Sequence, residues 1–283
     1  MQNIKIKTHA KINLCLDIVD RRPDGYHNLK TIMQSLDLYD ELSISKSAEI
    51  SVKCEQRLVP QDSDNLAYKA AKAIFQAAGA TAVGAEININ KQIPVAAGLG
   101  GGSANAAGTL LGLNFLYGFN FSIHQLVEMS KNIGADVPYC VIGGTVLATG
   151  IGEKLELLPP LGKLYIVLVK PDVSINTGEV YQKVKLDSLA NRPRVEQAVK
   201  AIGEEDFFSL FNSMGNVLEP ITSVMVPEVV EIKRKMLYLG ANVAQMCGSG
   251  PTVFAACINK DKADNIYRQF KKDFSQVFLC QTR

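Results

Sequence analysis

The chain lacks the cysteine and histidine patterns that bind metals or build disulfide scaffolds. It has six cysteines and three histidines in 283 residues, and no two cysteines form a Cys-x-x-Cys pair. Scattered cysteines without an export signal are typical of reduced cytosolic thiols, and the amino terminus lacks a signal peptide's apolar segment. His9 and His124 are interpreted as structural or surface histidines. We therefore expect a cytoplasmic protein without a structural metal site.

Long hydrophobic runs and an excess of charge are also missing. No run approaches the roughly 18 apolar residues that a transmembrane helix requires. The net charge is only +2, whereas nucleic-acid and membrane-surface proteins usually concentrate basic residues in a patch. The sequence therefore predicts neither a nucleic acid nor a membrane as partner. The length and a hydrophobic content of 47% are those of a globular protein with one large or two ordinary domains.

The glycine-rich segment 94–107 predicts a phosphate-binding loop. Four glycines, at position 98 and positions 100–102, run into Ser103 and residues that can start a helix. Glycine lets a ligand approach the backbone, and the first N–H groups of a helix attract anions. A flexible turn is the alternative. The segment is not a P-loop, because no lysine follows its last glycine, and it fits neither the dinucleotide fingerprint nor the protein-kinase motifs.

Alternating residues predict a long amino-terminal strand over residues 4–18. Its even positions other than Thr8 are apolar and are expected to form one buried face. Lys11 and Asn13 occupy odd positions and therefore project together from the other face. A turn is predicted at residues 22–25 and a second strand at residues 42–52.

Capping signals predict helices in the first half of the chain. Asp64 is predicted to cap a helix that Gly79 closes. Ser122 and Gln125 predict a capping box for a later helix, which Gly134 is expected to end. The remaining predicted elements of this half are a strand at 87–89, a helix from the glycine loop to about residue 118, and a short helix near 136–138.

A change of composition at Pro159 and Pro160 predicts a domain boundary. After it we expect a strand at 164–169, an irregular, polar connection over residues 171–193 and then two helical stretches, one of them with Val229, Ile232, Met236 and Leu239 at helical spacing. The later predicted elements are strands at 243–246, 253–258 and 277–280 and a helix with Ala263, Ile266 and Phe270 on one face. Both halves therefore mix helices with strands, which indicates an α+β fold.

Three segments in order resemble the signature regions of one family of small-molecule kinases. They are Lys11-Ile12-Asn13-Leu14, residues 94–107 and residues 248–254. On these motifs the chain is identified as a member of the GHMP family, the kinases for galactose, homoserine, mevalonate and phosphomevalonate. The resemblance implies two domains. Residues 1–158 would form an ATP-binding and catalytic domain like the second domain of ribosomal protein S5, and residues 159–283 a ferredoxin-like substrate-binding domain.

Further segments match family members whose acceptor carries a cytidine diphosphate group. They are residues 22–27, 64–66, 134–139 and 171–174. The resemblance implies ATP-dependent phosphorylation of an alcohol group on such a small molecule, with Mg²⁺ expected to bridge the phosphates. The sequence shows no dedicated carboxylate cage for this metal, so no residue is assigned to it. The expected assembly is a monomer or a weak homodimer.

The resemblance assigns catalytic roles to Lys11 and Asp136. Asp136 would accept the proton of the acceptor hydroxyl, while Lys11 would hold Asp136 ionised and offset charge on the moving phosphoryl group. Without the resemblance, Asp136 would be interpreted as a helix N-cap and Lys11 as a solvated strand lysine.

The resemblance also implies which residues bind ATP. In similar enzymes an asparagine at the Asn65 position contacts the adenine, and filling the first helical position is the structural alternative. Ser103 could cap its helix, touch a phosphate or bind Mg²⁺. The residues expected to bind ATP are Asn65, Pro94, Val95, Ala96, Ala97, Gly98, Leu99, Gly100, Gly101, Gly102, Ser103 and Ala104.

Four residues, Asn13, Tyr26, His27 and Tyr181, are expected to bind the acceptor. Asn13 would hydrogen-bond it, with strand-edge pairing as the alternative. Tyr26 and His27 match family positions that contact cytidine, and Tyr181 matches a stacking aromatic whose alternative role is to anchor a loop. We expect Tyr26 and Tyr181 to flank the base and His27 to read its edge.

Two other functions fit parts of the pattern. A homoserine-kinase-like enzyme would share the three family motifs, but residues 24–27 argue against it. A non-catalytic ligand sensor could keep the same fold, but Lys11, Asp136 and the glycine loop together argue for catalysis. Residues 248–254 either support the site beside the phosphate loop or form a tight turn before a strand.

Overall fold

The computed structural model describes residues 3–190 and 192–283, which contain both strands and helices. The strands are β1 (Asn3–Arg21), β2 (His27–Ser47), β3 (Ser51–Cys54), β4 (Gly84–Asn90), β5 (Thr145–Gly150), β6 (Lys154–Leu157), β7 (Tyr165–Lys170), β8 (Gly215–Asn216), β9 (Val243–Met246), β10 (Val253–Cys257) and β11 (Gln276–Gln281). The helices are α1 (Leu66–Ala77), α2 (Gly101–Tyr117), α3 (Ile123–Ser130), α4 (Val137–Ile142), α5 (Thr177–Gln182), α6 (Val195–Gly203), α7 (Phe207–Ser213), α8 (Glu219–Met225), α9 (Glu228–Tyr238) and α10 (Lys260–Phe270).

Packing divides the chain into two compact units. The first unit contains the chain up to Ala10, Leu38–Val95 and Gly100–Gly143. The second contains Lys11–Asp37, Ala96–Leu99 and Gly144–Arg283. Strands β1 and β2 and the glycine-rich segment therefore contribute residues to both units. The division of ligand-binding roles between residues 1–158 and 159–283 stays a prediction.

The first unit is built on β4. This strand pairs antiparallel with the second half of β2, where Glu41 lies opposite Asn90, and parallel with β3. Apolar residues of α1 and α2 join those of the strands in one core. Gly112 of α2 lies so close to Ile44 of β2 that a Cβ atom would stand 2.7 Å from the Ile44 Cδ1 atom. Small residues on α2 thus allow close packing of helix on sheet.

The second unit contains a four-stranded antiparallel sheet in the order β11-β7-β10-β9. Helix α9 buries Val229, Ile232 and Met236, and helix α10 buries Ala263, Ile266 and Phe270, in the core of this sheet. With α9 before β9 and α10 before β11, the arrangement is the split βαβ of a ferredoxin-like domain. The first half of β2 pairs with β5, and β8 pairs parallel with β1 at Cys15 and Leu16.

Most of the predicted elements are confirmed. The helix after the glycines is α2, and its C-cap Gly118 has the left-handed φ of +69°. Ser122 and Gln125 make both hydrogen bonds of the capping box at the start of α3. The short helix after Asp136 is α4, and the predicted carboxyl-terminal strands and helix are β9, β10, α10 and β11. Both units mix helices with strands, so the α+β class is confirmed as well.

The structure corrects the position of one helix cap. Asn65, rather than Asp64, is the N-cap of α1, and its Oδ1 accepts a hydrogen bond of 2.8 Å from the Ala67 N–H. Asp64 instead donates its own N–H to the Asp62 side chain at 3.0 Å. Because Asp64 belongs to a turn closed by the Asp62 side chain, the helix begins one residue later than predicted. The structural alternative for Asn65, in which it fills the first helical position, is wrong as well, because α1 begins at Leu66.

Other boundaries differ where tertiary packing or local turns interrupt a pattern. The strand predicted over residues 42–52 is the end of β2 and a separate β3, because the chain bends at residues 48–50. Helix α3 ends at Ser130, before Gly134, in a turn closed by a hydrogen bond from Ile133 N–H to Ser130 O. The connection over residues 171–193 contains α5, which Asn176 caps by accepting hydrogen bonds from two backbone N–H groups.

The sequence did not predict several of the helices and strands. Four helices, α6 to α9, occupy the region where two helical stretches were expected. Strands β5, β6 and β8 were not predicted, and β8 has only two residues. A strand of two residues carries too few positions for a recognisable period. No helix in the described part of the chain has the length and hydropathy needed to cross a bilayer.

Replacing Asn65 with alanine is expected to lower the free energy of unfolding by about 1 kcal/mol, because the α1 N-cap is lost. Asp64→Ala is the matched control and should change it little, since only the Asp64 backbone N–H takes part in the turn. Urea denaturation of both variants measures the difference. A larger loss for Asp64→Ala would contradict the assignment of the cap.

Candidate active site

The glycine-rich segment changes to left-handed backbone where helix α2 begins. Gly98 and Gly100 have φ of +75° and +70°, and Gly100 is the N-cap of α2. The first helical hydrogen bond runs from Ala104 N–H to Gly100 O at 2.8 Å. The N–H groups of residues 101–103 therefore precede the helical ladder and point out of its end. Together with the helix dipole, they form the kind of site that binds a phosphate.

The glycines of this segment serve different purposes. A Cβ atom on Gly98 would lie 2.2 Å from the Cys247 carbonyl oxygen, so the packing of the second unit requires glycine there. On Gly101 it would lie 2.9 Å from the Lys91 Nζ atom. On Gly102 the nearest atom would be Leu66 Cδ1 at 3.7 Å, and Gly102 is exposed. Packing in the first unit therefore does not explain Gly102, whereas approach of a ligand to its backbone would.

Lys11 and Asn13 lie on a buried face of β1. The prediction that only the opposite, apolar face of this strand is buried is therefore wrong. Their exposed fractions are 4% and 3%. The Lys11 Nζ donates to Asn13 Oδ1 at 2.9 Å, and Asn13 Nδ2 donates to Thr31 Oγ1 at 2.9 Å. The Lys11 backbone N–H donates to Leu99 O at 3.0 Å. The predicted catalytic lysine is thus a buried cation joined directly to the glycine-rich segment, and the alternative of a solvated lysine is wrong.

The carboxyl-terminal motif lies against these residues in the second unit. Gly248 has φ of +54°, and a Cβ atom on it would stand 3.2 Å from Gly98 O, 3.4 Å from Asn13 Oδ1 and 3.5 Å from Lys11 Nζ. The left-handed φ favours glycine at this position, and a Cβ atom would press most on Gly98 O. The structure therefore brings together Lys11, Asn13, Gly98 and Gly248, which come from all three motifs.

Asp136 stands at the amino-terminal end of α4 in the first unit. Its φ of −87° and ψ of −8° are helical, and its side chain makes no capping hydrogen bond. Its backbone oxygen accepts from Cys140 N–H at 3.1 Å, which holds the residue at the helix start. Asp136 therefore occupies the N-cap position of α4, as the alternative expected, but its half-buried side chain does not make the capping hydrogen bond.

The other ATP-binding candidates of the first unit have structural contacts. Besides capping α1, Asn65 donates from Nδ2 to Pro60 O at 2.6 Å. Ser103 is the third residue of α2, so the expectation that it caps this helix is wrong, because Gly100 is the cap. Among residues 3–190 and 192–283, no three His, Cys, Asp or Glu side chains are placed to hold a metal ion together. A protein-built Mg²⁺ cage therefore does not fit these residues.

Two of the acceptor-binding candidates meet in the second unit. The His27 and Tyr181 rings lie 5.8 Å apart, centroid to centroid, with 32° between their planes. Burial, together with the charge of Arg21, lowers the pKa of His27. The imidazole therefore stays neutral at pH 7, with one hydrogen-bond donor and one acceptor. Tyr26 is 64% exposed, and the ring contact does not include it.

These observations can be compared with known proteins. A model of the GHMP kinases N terminal domain matches residues 65–144, and one of the GHMP kinases C terminal domain matches residues 195–276. A protein of Acetivibrio thermocellus, 4-diphosphocytidyl-2-C-methyl-D-erythritol kinase, is 44% identical over 283 residues, with full coverage of both chains. The chain belongs to the GHMP kinase family. It is therefore a small-molecule kinase of a family that uses ATP as phosphoryl donor.

Solved structures agree with the fold of a GHMP kinase. A crystal structure of 4-(cytidine 5'-diphospho)-2C-methyl-D-erythritol kinase superimposes with a TM-score of 0.83 at 30% identity and covers 99% of both chains. Homoserine kinase from Cytophaga hutchinsonii gives a TM-score of 0.79 at 21% identity, with 99% of this chain and 94% of that one covered. The second likeness shows the fold alone. The predicted two-domain α+β fold is confirmed.

One group of residues at the glycine loop of this GHMP kinase was missed in the sequence. The fully buried Asp40 of β2 accepts hydrogen bonds from Gln92 N–H at 2.7 Å, Ile93 N–H at 2.8 Å and Asn105 Nδ2 at 2.8 Å. It also forms an ion pair with Lys91. Asp40 thus joins the chain that enters the loop to the helix that leaves it. An acidic residue between apolar strand residues is the signal that could have indicated it.

Gly102→Val is expected to raise the ATP KM about tenfold or more without lowering the melting temperature. A side chain at this position has room within the first unit but would cover the N–H groups at the start of α2. Steady-state kinetics and thermal melting measure the two effects separately.

Gly203→Val is the matched control for this variant. Gly203 is also a helical glycine, and a Cβ atom on it would have no neighbour within 4 Å. The ATP KM of this control should equal that of the unmodified enzyme. An equal KM for Gly102→Val would show that ATP does not use this helix end.

Proposed function

We propose that the chain catalyses ATP-dependent phosphorylation of the 2-hydroxyl group of 4-diphosphocytidyl-2-C-methyl-D-erythritol, a step of the non-mevalonate isoprenoid pathway. The observation that carries this proposal is the 44% identity, over the whole length, to a kinase named for that substrate. The paired rings of His27 and Tyr181 supply a surface suited to the cytosine of such a substrate. A homoserine acceptor has no ring for them to bind.

The glycine-rich segment is proposed to hold the phosphates of ATP. The N–H groups of residues 101–103 and the positive end of the α2 dipole favour the negatively charged phosphates. The proposed ATP site includes residues 94–104, with Asn65 at the adenine. The amide of Asn65 is already partly used by Pro60 and Ala67, so it could offer its remaining hydrogen and lone pair. Mg²⁺ is proposed to arrive bound to the phosphates.

Lys11 and Asp136 are proposed to carry the chemistry. The Asp136 carboxylate would accept the proton of the acceptor hydroxyl as the oxygen attacks the γ-phosphorus. The Lys11 ammonium would stabilise negative charge that develops during the transfer. A buried cation acts more strongly than a solvated one because less water screens its field. Its hydrogen bond to Asn13 Oδ1 holds the ammonium in place before substrate arrives.

The acceptor is proposed to bind to Asn13, Tyr26, His27 and Tyr181. The contact between the His27 and Tyr181 rings favours these two as the cytosine-binding pair, with the exposed Tyr26 at its edge. Neutral His27 can donate one hydrogen bond and accept another, which suits the edge of a cytosine. Stacking on Tyr181 would add affinity without distinguishing one base from another.

The proposed enzyme acts in the cytoplasm as a monomer or a weak homodimer. None of the six cysteines is in a disulfide, which suits a reducing compartment. Its partner is the small cytidine-diphosphate-bearing acceptor.

Asp136→Asn is expected to lower kcat by about 10²–10⁴-fold, because an amide cannot accept the proton. ATP binding should change little. Lys11→Met should also lower kcat, and the double variant should lose much less than the product of the two single effects, since both residues act on the same step. The measurement is ATP consumption with the cytidine-diphosphate acceptor, with homoserine and mevalonate as controls. Independent, multiplicative losses would mean that the two residues act separately.

Tyr181→Ala and His27→Ala are each expected to raise the acceptor KM about tenfold or more, equivalent to about 1.4 kcal/mol, and to leave the ATP KM unchanged. His27→Ala should also narrow the preference for a cytidine over a uridine acceptor. Tyr238→Ala is the control, because this tyrosine is exposed and belongs to neither proposed site.

The pH dependence gives a second readout of His27. Its pKa lies below 6.5, so the acceptor KM should rise only as the pH falls through that lowered value, where the imidazole gains a proton. In His27→Ala this acid-side increase should disappear. An effect of either variant on ATP alone would remove His27 and Tyr181 from the acceptor site.

A further inference from the structure

Three buried polar side chains from the segment 216–222 hold the turn at residues 246–249. Asn216, which is 1% exposed, donates from Nδ2 to Met246 O at 2.9 Å and to Gly248 O at 2.8 Å. Glu219 Oε2 accepts from Met246 N–H at 2.9 Å. Thr222 Oγ1 donates to Ser249 O at 3.1 Å. We call Asn216, Glu219 and Thr222 the clamp.

The clamp holds the part of the chain that lies against Lys11. Gly248 approaches Lys11 Nζ, Asn13 Oδ1 and Gly98 O, and the neighbouring Cys247 carbonyl lies against Gly98. A displacement of this turn would therefore change the space around the Lys11 ammonium and the glycine-rich segment together.

The clamp is anchored to the strand that carries Lys11. Asn216 belongs to β8, which pairs with β1 so that Asn216 lies opposite Leu16 and Gly215 opposite Cys15. A second link comes from Gln245, whose Nε2 donates to Asn13 O at 3.1 Å. The turn is therefore held at a set distance from the same strand whose side chains it touches.

The chemistry of the clamp favours a single arrangement of the turn. A buried amide or carboxylate costs free energy unless its hydrogen bonds are made. Asn216 uses Nδ2 for two carbonyls and Oδ1 for Leu218 N–H at 2.9 Å, and Glu219 also pairs with Lys233. Any other position of the turn would leave these buried groups unsatisfied.

We propose that Asn216, Glu219 and Thr222 are positioning residues for phosphoryl transfer, which hold residues 246–249 so that Gly248 keeps the Lys11 ammonium in its reactive position. This inference rests on the proposed catalytic role of Lys11. The clamp acts through the turn and does not touch substrate.

Asn216→Asp is the first test, because it keeps the shape but replaces both donated hydrogen bonds by repulsion between oxygens. We expect kcat to fall about ten- to hundredfold, as small displacements of reacting groups do, with smaller changes in both KM values. In the Lys11→Met background the same substitution should have little further effect on kcat. If Asn216→Asp lowers kcat by the same factor in the Lys11→Met background as in the unmodified enzyme, the proposal is overturned, because the clamp would then not act through Lys11.

Thr222→Val and Thr222→Ser provide a milder test if Asn216→Asp does not fold. Valine removes the hydroxyl and should lower kcat, whereas serine keeps it and should restore kcat. Val229→Ala is the control for stability: it removes buried volume in the same unit, so the melting temperature should fall while kcat stays unchanged. Equal kcat for valine and serine at position 222 would overturn the proposal.

The outcomes also separate this inference from the proposed function. If Lys11→Met leaves kcat unchanged, the proposed catalytic role of Lys11 fails, and the positioning role fails with it. If Lys11→Met lowers kcat but the Asn216 and Thr222 variants do not, only the clamp proposal fails.

Discussion

Burial of the Lys11 ammonium is the constraint on which the polar interior of the second unit depends. A lysine is seldom buried without partners, because removing its charge from water costs several kcal/mol. Here the ammonium is bonded to Asn13, Asn13 to Thr31, and Thr31 to the Cys15 carbonyl, all of them buried. Gly248 lies beside the same atoms, and its left-handed φ of +54° favours glycine there. One buried charge thus accounts for several residues that have no obvious role when taken singly.

The first unit also contains a buried charged residue, the acidic Asp40. Asp40 has no exposed surface, yet it receives hydrogen bonds from two backbone N–H groups and from Asn105, together with the Lys91 cation. These donors satisfy the hydrogen-bonding capacity of the buried carboxylate, and the donors are fixed in return. Those donors lie immediately before the glycine-rich segment and on the first turns of α2. The left-handed backbone at Gly100 is thus supported by a charge network as well as by glycine's own freedom.

Local physics made much of the fold predictable. The long strand β1, the capping box of Ser122 and Gln125 and the left-handed Gly118 are short-range features and are confirmed, although β1 is buried on both faces around Lys11. Errors arose where two local signals competed. Asp64 and Asn65 are almost equally good caps, and the turn made by Asp62 decided between them. Short elements such as β8 depend on a partner strand for their existence and have no period of their own. Family motifs supplied the catalytic and binding candidates, which remain predictions for this chain.

The sequence by itself determined the phosphate-loop pattern, the α+β class and the family, because glycines before a helix, residue periodicity and ordered motifs are all properties of neighbouring residues. Tertiary structure decided which of these residues meet. Gly248 lies beside Lys11 although the two are more than two hundred positions apart, and the pairing of His27 with Tyr181 joins two distant segments. It also showed which groups Asn216 and Asp40 bind, and for Asn216 the residue type alone indicates nothing. Hydrogen bonds between distant segments form only when the chain has packed, so no local pattern can record them.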